Sequence, residues 1–350
     1  MSQEPDISLL CPVPQQHYEH IVMAHGGGGM LMRQLLDGII RPALDNPFLR
    51  QRHDSVAIPL SGRYALTTDS YVVKPLFFPG GDIGKLAVCG TLNDLAMAGA
   101  KPLYLTVSLV MEEGLSLTTL QAIMESMAVA AKQAGVSIVT GDTKVVERGK
   151  GDGLYICTTG VGLIPEHISI HPTRIQAGDV IISNGDIGRH GVAIMASREN
   201  LELESTIESD CADLSGLVSC LIESGIDIHC MRDLTRGGLG AALIELAEES
   251  GHECLLDEIA ITISEDVTGV CELLGLDPLY VANEGRFLMM VPASQIESCL
   301  NLLRAHPLGT QAGVIGQVTA SGRPHVSLKT SLGSMRRLHL PSGEQLPRIC

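Results

Sequence analysis

The chain has 350 residues, a length that suits two domains of ordinary size, each able to bury its own core. Its formal net charge of −16 argues against a nucleic-acid or anionic-membrane surface, because such partners demand clustered Lys and Arg. No stretch approaches the roughly 20 apolar residues of a membrane span, and Met1–Pro14 lacks the basic start and apolar run of a signal peptide, so a cytoplasmic location is expected.

Residues 1–50 read as a lead-in, with a glycine run at Gly26–Gly29 and a short helix predicted over Met30–Ile40. A first compact unit is placed at 51–164. Within it, Leu117, Leu120, Ile123, Met124, Met127 and Ala131 recur at helical spacing and Gly135 stops the pattern, so Ser116–Ala134 is predicted as an amphipathic helix. Tyr64–Thr68, Leu103–Met111 and Val136–Thr140 are predicted strands. The interdomain connection is placed in Ile164–Gly178, and a second unit at 175–330 opens with the strand Asp179–Ser183. Gly238–Glu249 is its clearest helix, closed by Gly251, with further strands at Phe287–Val291 and Ala312–Val318. Ser331–Cys350 has no periodicity and is expected to form a mobile tail.

Aspartates recur in similar settings: Asp69 after Thr67-Thr68, Asp94 in Leu92–Leu95, Asp142 before Thr143-Lys144, and Asp233 before a helix. Carboxylates beside Gly and Thr at strand ends suit Mg²⁺, which keeps waters and phosphate oxygens as most of its ligands. Each alone is more often a turn or cap residue; the joint pattern reverses that reading. Gly26–Gly29 and Gly237-Gly238 are candidate backbone cradles for phosphate, against the plainer reading of flexible loops. Neither a P-loop nor a Rossmann glycine motif is present. Gly185–Gly191, with His190, and Ala282–Arg286, with Glu284, gather titratable groups between glycines as site loops do, though capping and turn roles remain open to both residues.

Ten cysteines are scattered without any C-x-x-C pair, which is neither a zinc spacing nor, in a reducing compartment, a disulfide framework. Most read as small core residues. Cys350 is different because it ends the chain. It is either an accidental terminal residue or a thiol on a swinging arm. A tail of about twenty residues can stretch roughly 60 Å. The terminal carboxylate disfavours the thiolate and Arg348 favours it, so a base or cation in a cleft would be needed for activation.

The segments TTDSYVVKPLFFPGGDIGKLAVCGTLNDLAMAGAKP, SIVTGDTKVV, SNGDIGRHGVAIM, MRDLTRGGL, YVANEGR and the terminal PRIC together resemble the HypE family of hydrogenase-maturation proteins, within the aminoimidazole ribonucleotide synthetase-like superfamily of ATP enzymes. The resemblance spans nearly the whole chain, and the terminal Cys separates it from superfamily relatives. It implies an α/β N-terminal domain whose sheet forms a homodimer, a C-terminal α+β domain over the nucleotide, and the cofactors ATP and Mg²⁺. The implied activity is that of a carbamoyl dehydratase. Cys350 receives a carbamoyl group from the carbamoyltransferase HypF, ATP drives its dehydration to a thiocyanate, and the product becomes a cyanide ligand of the [NiFe]-hydrogenase iron after passage to HypC–HypD. Carried over residue by residue, Asp69, Asp94, Asp142 and Asp233 are implied nucleotide-metal residues, with Thr143, Gly237 and Gly238 beside them. Lys144 and Glu284 are implied proton-transfer residues near the thiol, and His190 a further candidate for activating it. Two other readings remain: a small-molecule ligase or kinase of the same superfamily, whose activity would survive deletion of Leu346–Cys350, and a non-catalytic carrier, which would turn over no ATP and tolerate Asp142→Asn.

Overall fold

Alternating burial along four strands builds the first sheet. In the computed structural model, which describes residues 18–51, 55–199, 207–320, 323–341 and 349–350, the lead-in forms α1 (Met30–Leu35) and α2 (Arg41–Leu44), joined by a π-helical turn over Leu36–Ile40. Leu35, Ile40 and Leu44 bury into the first core, so this lead packs onto the domain that follows. Next come β1 (Arg63–Tyr71), the short pair β2 (Phe77–Phe78) and β3 (Gly81–Asp82), α3 (Ile83–Met97), β4 (Lys101–Glu112), α4 (Leu117–Gln133), β5 (Ser137–Val146) and β6 (Leu154–Ile164). The sheet order is β1-β6-β4-β5, antiparallel except for the parallel β4–β5 pair. One face packs on α3 and α4 through Leu86, Leu105, Ile123, Met127 and Ile156. The other face is open and carries Leu66, 72% exposed.

The second domain comprises β7 (Asp179–Ser183), α5 (Arg189–Arg198), α6 (Ser215–Glu223), β8 (Cys230–Asp233), α7 (Gly238–Ser250), β9 (Glu253–Asp257), α8 (Glu265–Leu274), β10 (Phe287–Pro292), α9 (Ile296–Ala305), β11 (Gly313–Thr319), β12 (His325–Lys329) and β13 (Met335–Arg337). Its seven-stranded mixed sheet runs β13-β12-β9-β11-β7-β10-β8. Helix α3 joins the two domains. It is buried almost all round, because Ala96 and Met97 pack on Leu214 and Leu217 of the second domain while Leu86 and Leu92 face the first. No helix among the described residues is long and apolar enough to cross a membrane.

Two local expectations are corrected. The stretch from Ser331 is not all tail: Met335–Arg337 pair with β12, Leu338 is buried, and the Tyr280 hydroxyl donates to His339 O at 2.8 Å. A short apolar and polar anchor set was enough, without periodicity, to hold this piece on the sheet. The strand expected at Val136–Thr140 starts one residue later and covers only the first part of β5, which the β-branched residues Thr143, Val145 and Val146 extend. Arg348 lies outside the described residues.

Candidate functional site

Four of the expected acidic residues meet at the junction of the domains. Asp69 lies near the end of β1 on its helix-facing side. Asp94 is on α3 rather than at a strand end, and its Oδ2 accepts from the Thr67 hydroxyl at 2.7 Å. Asp233 ends β8. Glu284 comes from the loop before β10 and is 2% exposed. Asn93, the neighbour of Asp94 on α3, ties the domains together: its side-chain NH₂ donates to Ala212 O at 3.1 Å and Glu284 O at 3.0 Å, and its Oδ1 accepts from Leu214 N at 2.8 Å.

These carboxylates act on one another. Burial first, then the charges of Asp94 and Asp69, push Asp233 up to about 7. Burial and Asp69 raise Asp94 against the opposing Thr67 bond, and burial with Asp233, Asp210 and Asp69 holds Glu284 well above the usual carboxylate range. Arg232 and Arg236 offset only part of this mutual repulsion, so the set suits a further cation. Among the described residues no three His, Cys, Asp or Glu side chains form a cage by themselves. Mg²⁺ bound through one or two carboxylates plus phosphate oxygens needs no such cage, so the donor chemistry fits it. The sign of the linkage gives a prediction. An acid whose folded pKa is raised contributes stability that is complete below its unfolded value near 3.8 and is lost as pH rises through about 7. In EDTA the unfolding temperature should therefore fall across that window, and Asp233→Asn should flatten the fall; a profile that rises with pH would refute the assignment.

The chain terminus docks into this cluster. Ile349 is 3% exposed and joins the first core, the Val72 N–H donates to the Cys350 terminal oxygen at 3.3 Å, and the Ile349 carbonyl accepts from His190 Nε2 at 2.9 Å. Burying Ile349 contributes about 1.5–3 kcal/mol, while each tail residue fixed costs about 1–2 kcal/mol of backbone entropy. These oppose each other at similar size, so the docked end is releasable. Burial pushes the Cys350 thiol up, and the Glu284 charge adds to it against Arg236, with Asp69 and Asp233 raising it further. The docked thiol is therefore protonated and a poor nucleophile.

Other expected residues are placed differently. In the strand register Asp69 lies opposite Thr158 of β6, Thr158 opposite Val107 of β4, and Val107 opposite Gly141 of β5. Asp142 and Lys144 thus sit at the far edge of the sheet, three strand spacings or roughly 14 Å from Asp69. They ion-pair with each other on the open face, both exposed. Within one chain neither joins Cys350, because a period-two strand turns them away from the helix-covered side. Thr143 faces inward, buried, with an Oγ1 that has no hydrogen-bond partner. Gly26 packs against Val145, where a Cβ would come within 2.9 Å, so the glycine run lies beside this same edge. Gly237 and Gly238 start α7 with φ of 79° and 58°, and a Cβ at Gly238 would meet Val281 O at 2.6 Å. Close packing alone requires glycine there. His190 is buried with both ring nitrogens bonded away from the thiol, to Ile349 O and Ser209, and burial lowers its pKa. It does not activate Cys350 in this arrangement.

The loop Ser209–Cys211 was not singled out by sequence, yet it supports Glu284. Asp210 Oδ1 accepts from Glu284 N at 3.1 Å, and Asp210 O passes so close to Gly285 that a Cβ there would sit 1.9 Å away. Arg286, 6% exposed, pairs with Asp186 at 2.6 Å, locking the loops Gly185–Gly191 and Ala282–Arg286 together. The polar residues flanking Gly285 were the available signal. Gly285→Ala is expected to displace Glu284 and lower turnover at least about tenfold, since small misplacements at a reacting centre cost on that order or more. Unchanged steady-state kinetics would contradict this.

Comparison with known proteins agrees with this architecture. Residues 52–164 and 176–329 match the N-terminal and C-terminal domains of the AIR synthase related protein family. The carbamoyl dehydratase HypE of Cupriavidus necator is 51% identical over 332 residues, covering 94% of this chain and 95% of its own. A crystal structure of hydrogenase maturation protein HypE in complex with ATP superposes with a TM-score of 0.91 at 42% identity, covering 94% of this chain and 99% of that one. A HypE–HypF complex superposes with a TM-score of 0.77 at 42% identity, covering 89% and 100%.

Proposed function

This chain belongs to the carbamoyl dehydratase HypE family, built on paired AIR synthase-related domains, and from that membership we propose that it dehydrates an S-carbamoyl group on its own Cys350 at the expense of ATP, supplying cyanide for the [NiFe]-hydrogenase iron. The observation that carries the proposal is the docking of the terminal thiol among Glu284, Asp69 and Asp233.

The chemistry assigns the residues. A thiocarbamate oxygen leaves poorly, so it is first phosphorylated by ATP, releasing ADP; one nitrogen proton leaves as the C=N bond forms. Loss of the second nitrogen proton then expels phosphate and leaves the S–C≡N group. Mg²⁺, held through Asp69, Asp94 and Asp233, would neutralise charge developing on the phosphates. Glu284 takes a nitrogen proton: its Oε1 is buried without a hydrogen-bond partner, an acceptor awaiting a donor such as the thiocarbamate NH₂. Gly237 and Gly238 open α7 beside this set; the Gly238 N–H is bonded to Thr235 O at 2.9 Å, so a phosphate here would meet the other N–H groups of the helix start.

The protonated docked thiol separates loading from dehydration. HypF must load Cys350 while the tail is out, and the neutral thiocarbamate then returns to the cleft. The homodimer forms over the open face of the β1-β6-β4-β5 sheet, covering Leu66. Asp142 and Lys144 then serve the site of the second copy, since they lie on the open face away from their own chain's thiol, while Thr143, buried on the other side of β5, supports the strand that presents them. Mixing Lys144→Ala with Cys350→Ala protein should restore turnover in hybrid dimers; no recovery would place Lys144 outside the reaction. The cyano group passes to HypC–HypD in the cytoplasm.

The phosphorylation route has a direct test. With heavy oxygen in the thiocarbamate, the label should appear in inorganic phosphate after ATP is added. Label-free phosphate accompanied by cyanation would exclude an O-phosphorylated intermediate.

A further inference from the structure

We propose that His190, oriented by Ser209, is a positioning residue: a latch that holds the C-terminal backbone in the docked state and takes no part at the reacting atoms. The inference rests on the reading of Cys350 as the tethered substrate.

Hydrogen-bond direction fixes the device. Ile349 O can only accept, so His190 Nε2 carries the proton that it donates at 2.9 Å. A buried neutral imidazole then has Nδ1 as an acceptor, and the Ser209 hydroxyl donates to it at 2.8 Å. Ser209 Oγ is itself fixed, because it accepts from Cys211 N at 3.0 Å. The chain Cys211 N–H, Ser209 O–H, His190 Nε2–H and Ile349 O therefore runs in one direction only, and Ser209 selects the tautomer that can hold the tail.

The surroundings make the latch rigid. Ser209 N donates to Pro79 O at 2.8 Å, and Gly80, at φ 91°, allows an approach in which a Cβ would meet Ser209 O at 2.7 Å. The Phe78 ring lies edge-on to His190 at 5.5 Å. Residues of the first domain thus hold Ser209 and His190 from one side and α5 of the second domain from the other. The latch and the Val72 N–H bond grip the backbone on either side of the Cys350 Cα. Backbone atoms are fixed while the thiol stays free to face Glu284, as a substrate side chain requires. The same loop supports both functions, since Asp210, next to Ser209, holds the Glu284 backbone.

The test uses full-length protein. The rate of Cys350 alkylation by iodoacetamide, without nucleotide, is read by mass spectrometry on the Gln345–Cys350 fragment released by a Glu-specific protease. Losing one net hydrogen bond of the docked state should raise that rate about fivefold in His190→Ala. Ser209→Ala, which removes a single hydroxyl, should raise it in the same direction and serves where the His190 variant folds poorly. His190→Gln keeps an N–H near the Nε2 position and should stay close to wild type. In carbamoyl-loaded protein, kcat for dehydration should fall in His190→Ala by no more than that factor, and by less the more completely the loaded tail is docked, while the KM for ATP is unchanged. An alkylation rate unaltered by His190→Ala and Ser209→Ala would overturn the latch, as would a dehydration defect in His190→Gln equal to that of His190→Ala. If wild-type Cys350 never takes a carbamoyl group, the substrate reading fails, while the alkylation rates still decide whether the latch exists.

Discussion

Cys350→Ala is expected to reduce cyanation to background while leaving the unfolding temperature and ATP binding near wild type. The physical reason is that the thiol is reactant and not scaffold. Its side chain is only partly buried, whereas the anchoring contacts belong to the Ile349 side chain, the Ile349 carbonyl and the Cys350 terminal oxygen. Among the described residues, the cysteines beside Glu284 cannot replace it. Cys89 and Cys211, near Glu284, are each 3% exposed and fixed within the core, so a carbamoyl donor has no access to them. The loss is read as disappearance of both the carbamoyl adduct and its dehydrated form. ATP-dependent thiocyanate formed by the Ala variant would show that the attachment point lies elsewhere.

The second large effect is on Glu284. Glu284→Gln preserves size but puts an amide, which cannot accept a proton, in place of the carboxylate, and general-base removal typically costs about 10²–10⁴-fold. Dehydration should fall by that amount while loading by HypF is unchanged, because loading takes place away from the cleft. The pH profile has a definite sign. Burial and neighbouring carboxylates raise Glu284, so the base fills with protons as pH falls, and the wild-type dehydration rate should climb with pH through a limb that the Gln variant lacks. A variant within tenfold of wild type at every pH would move the first proton transfer to Lys144.

The fold was legible where side-chain periodicity is set by one neighbour. Ser116–Ala134 shows its helical stripe because α4 packs on one side only, and α4 runs Leu117–Gln133 as expected. Helix α3 hid for the opposite reason: buried between two domains, it has no polar face, so Asp94 looked like part of a small-residue segment. The site shows the same division. Asp69, Asp94, Asp233 and Glu284 were each suggested by local setting and do share one electrostatic cluster. Asp142 looked equivalent to them, but strand register, which no local pattern reveals, puts it at the other edge of the sheet. Ser209–Cys211 carried no signal of its own because its role is made by contacts with Gly80, Gly285 and His190, all distant in sequence.

The terminal thiol, legible in the sequence as the Cys that closes the PRIC ending, is held by backbone contacts and protonated while docked, and the proposed function has it loaded away from the cleft. That account is tested most directly by the mass of the Gln345–Cys350 fragment, followed through incubation with HypF, carbamoyl phosphate and ATP. The fragment should first gain one carbamoyl group and then lose the mass of one water only when Mg²⁺ and ATP are supplied. A carbamoyl adduct that persists unchanged with Mg²⁺ and ATP present would contradict it.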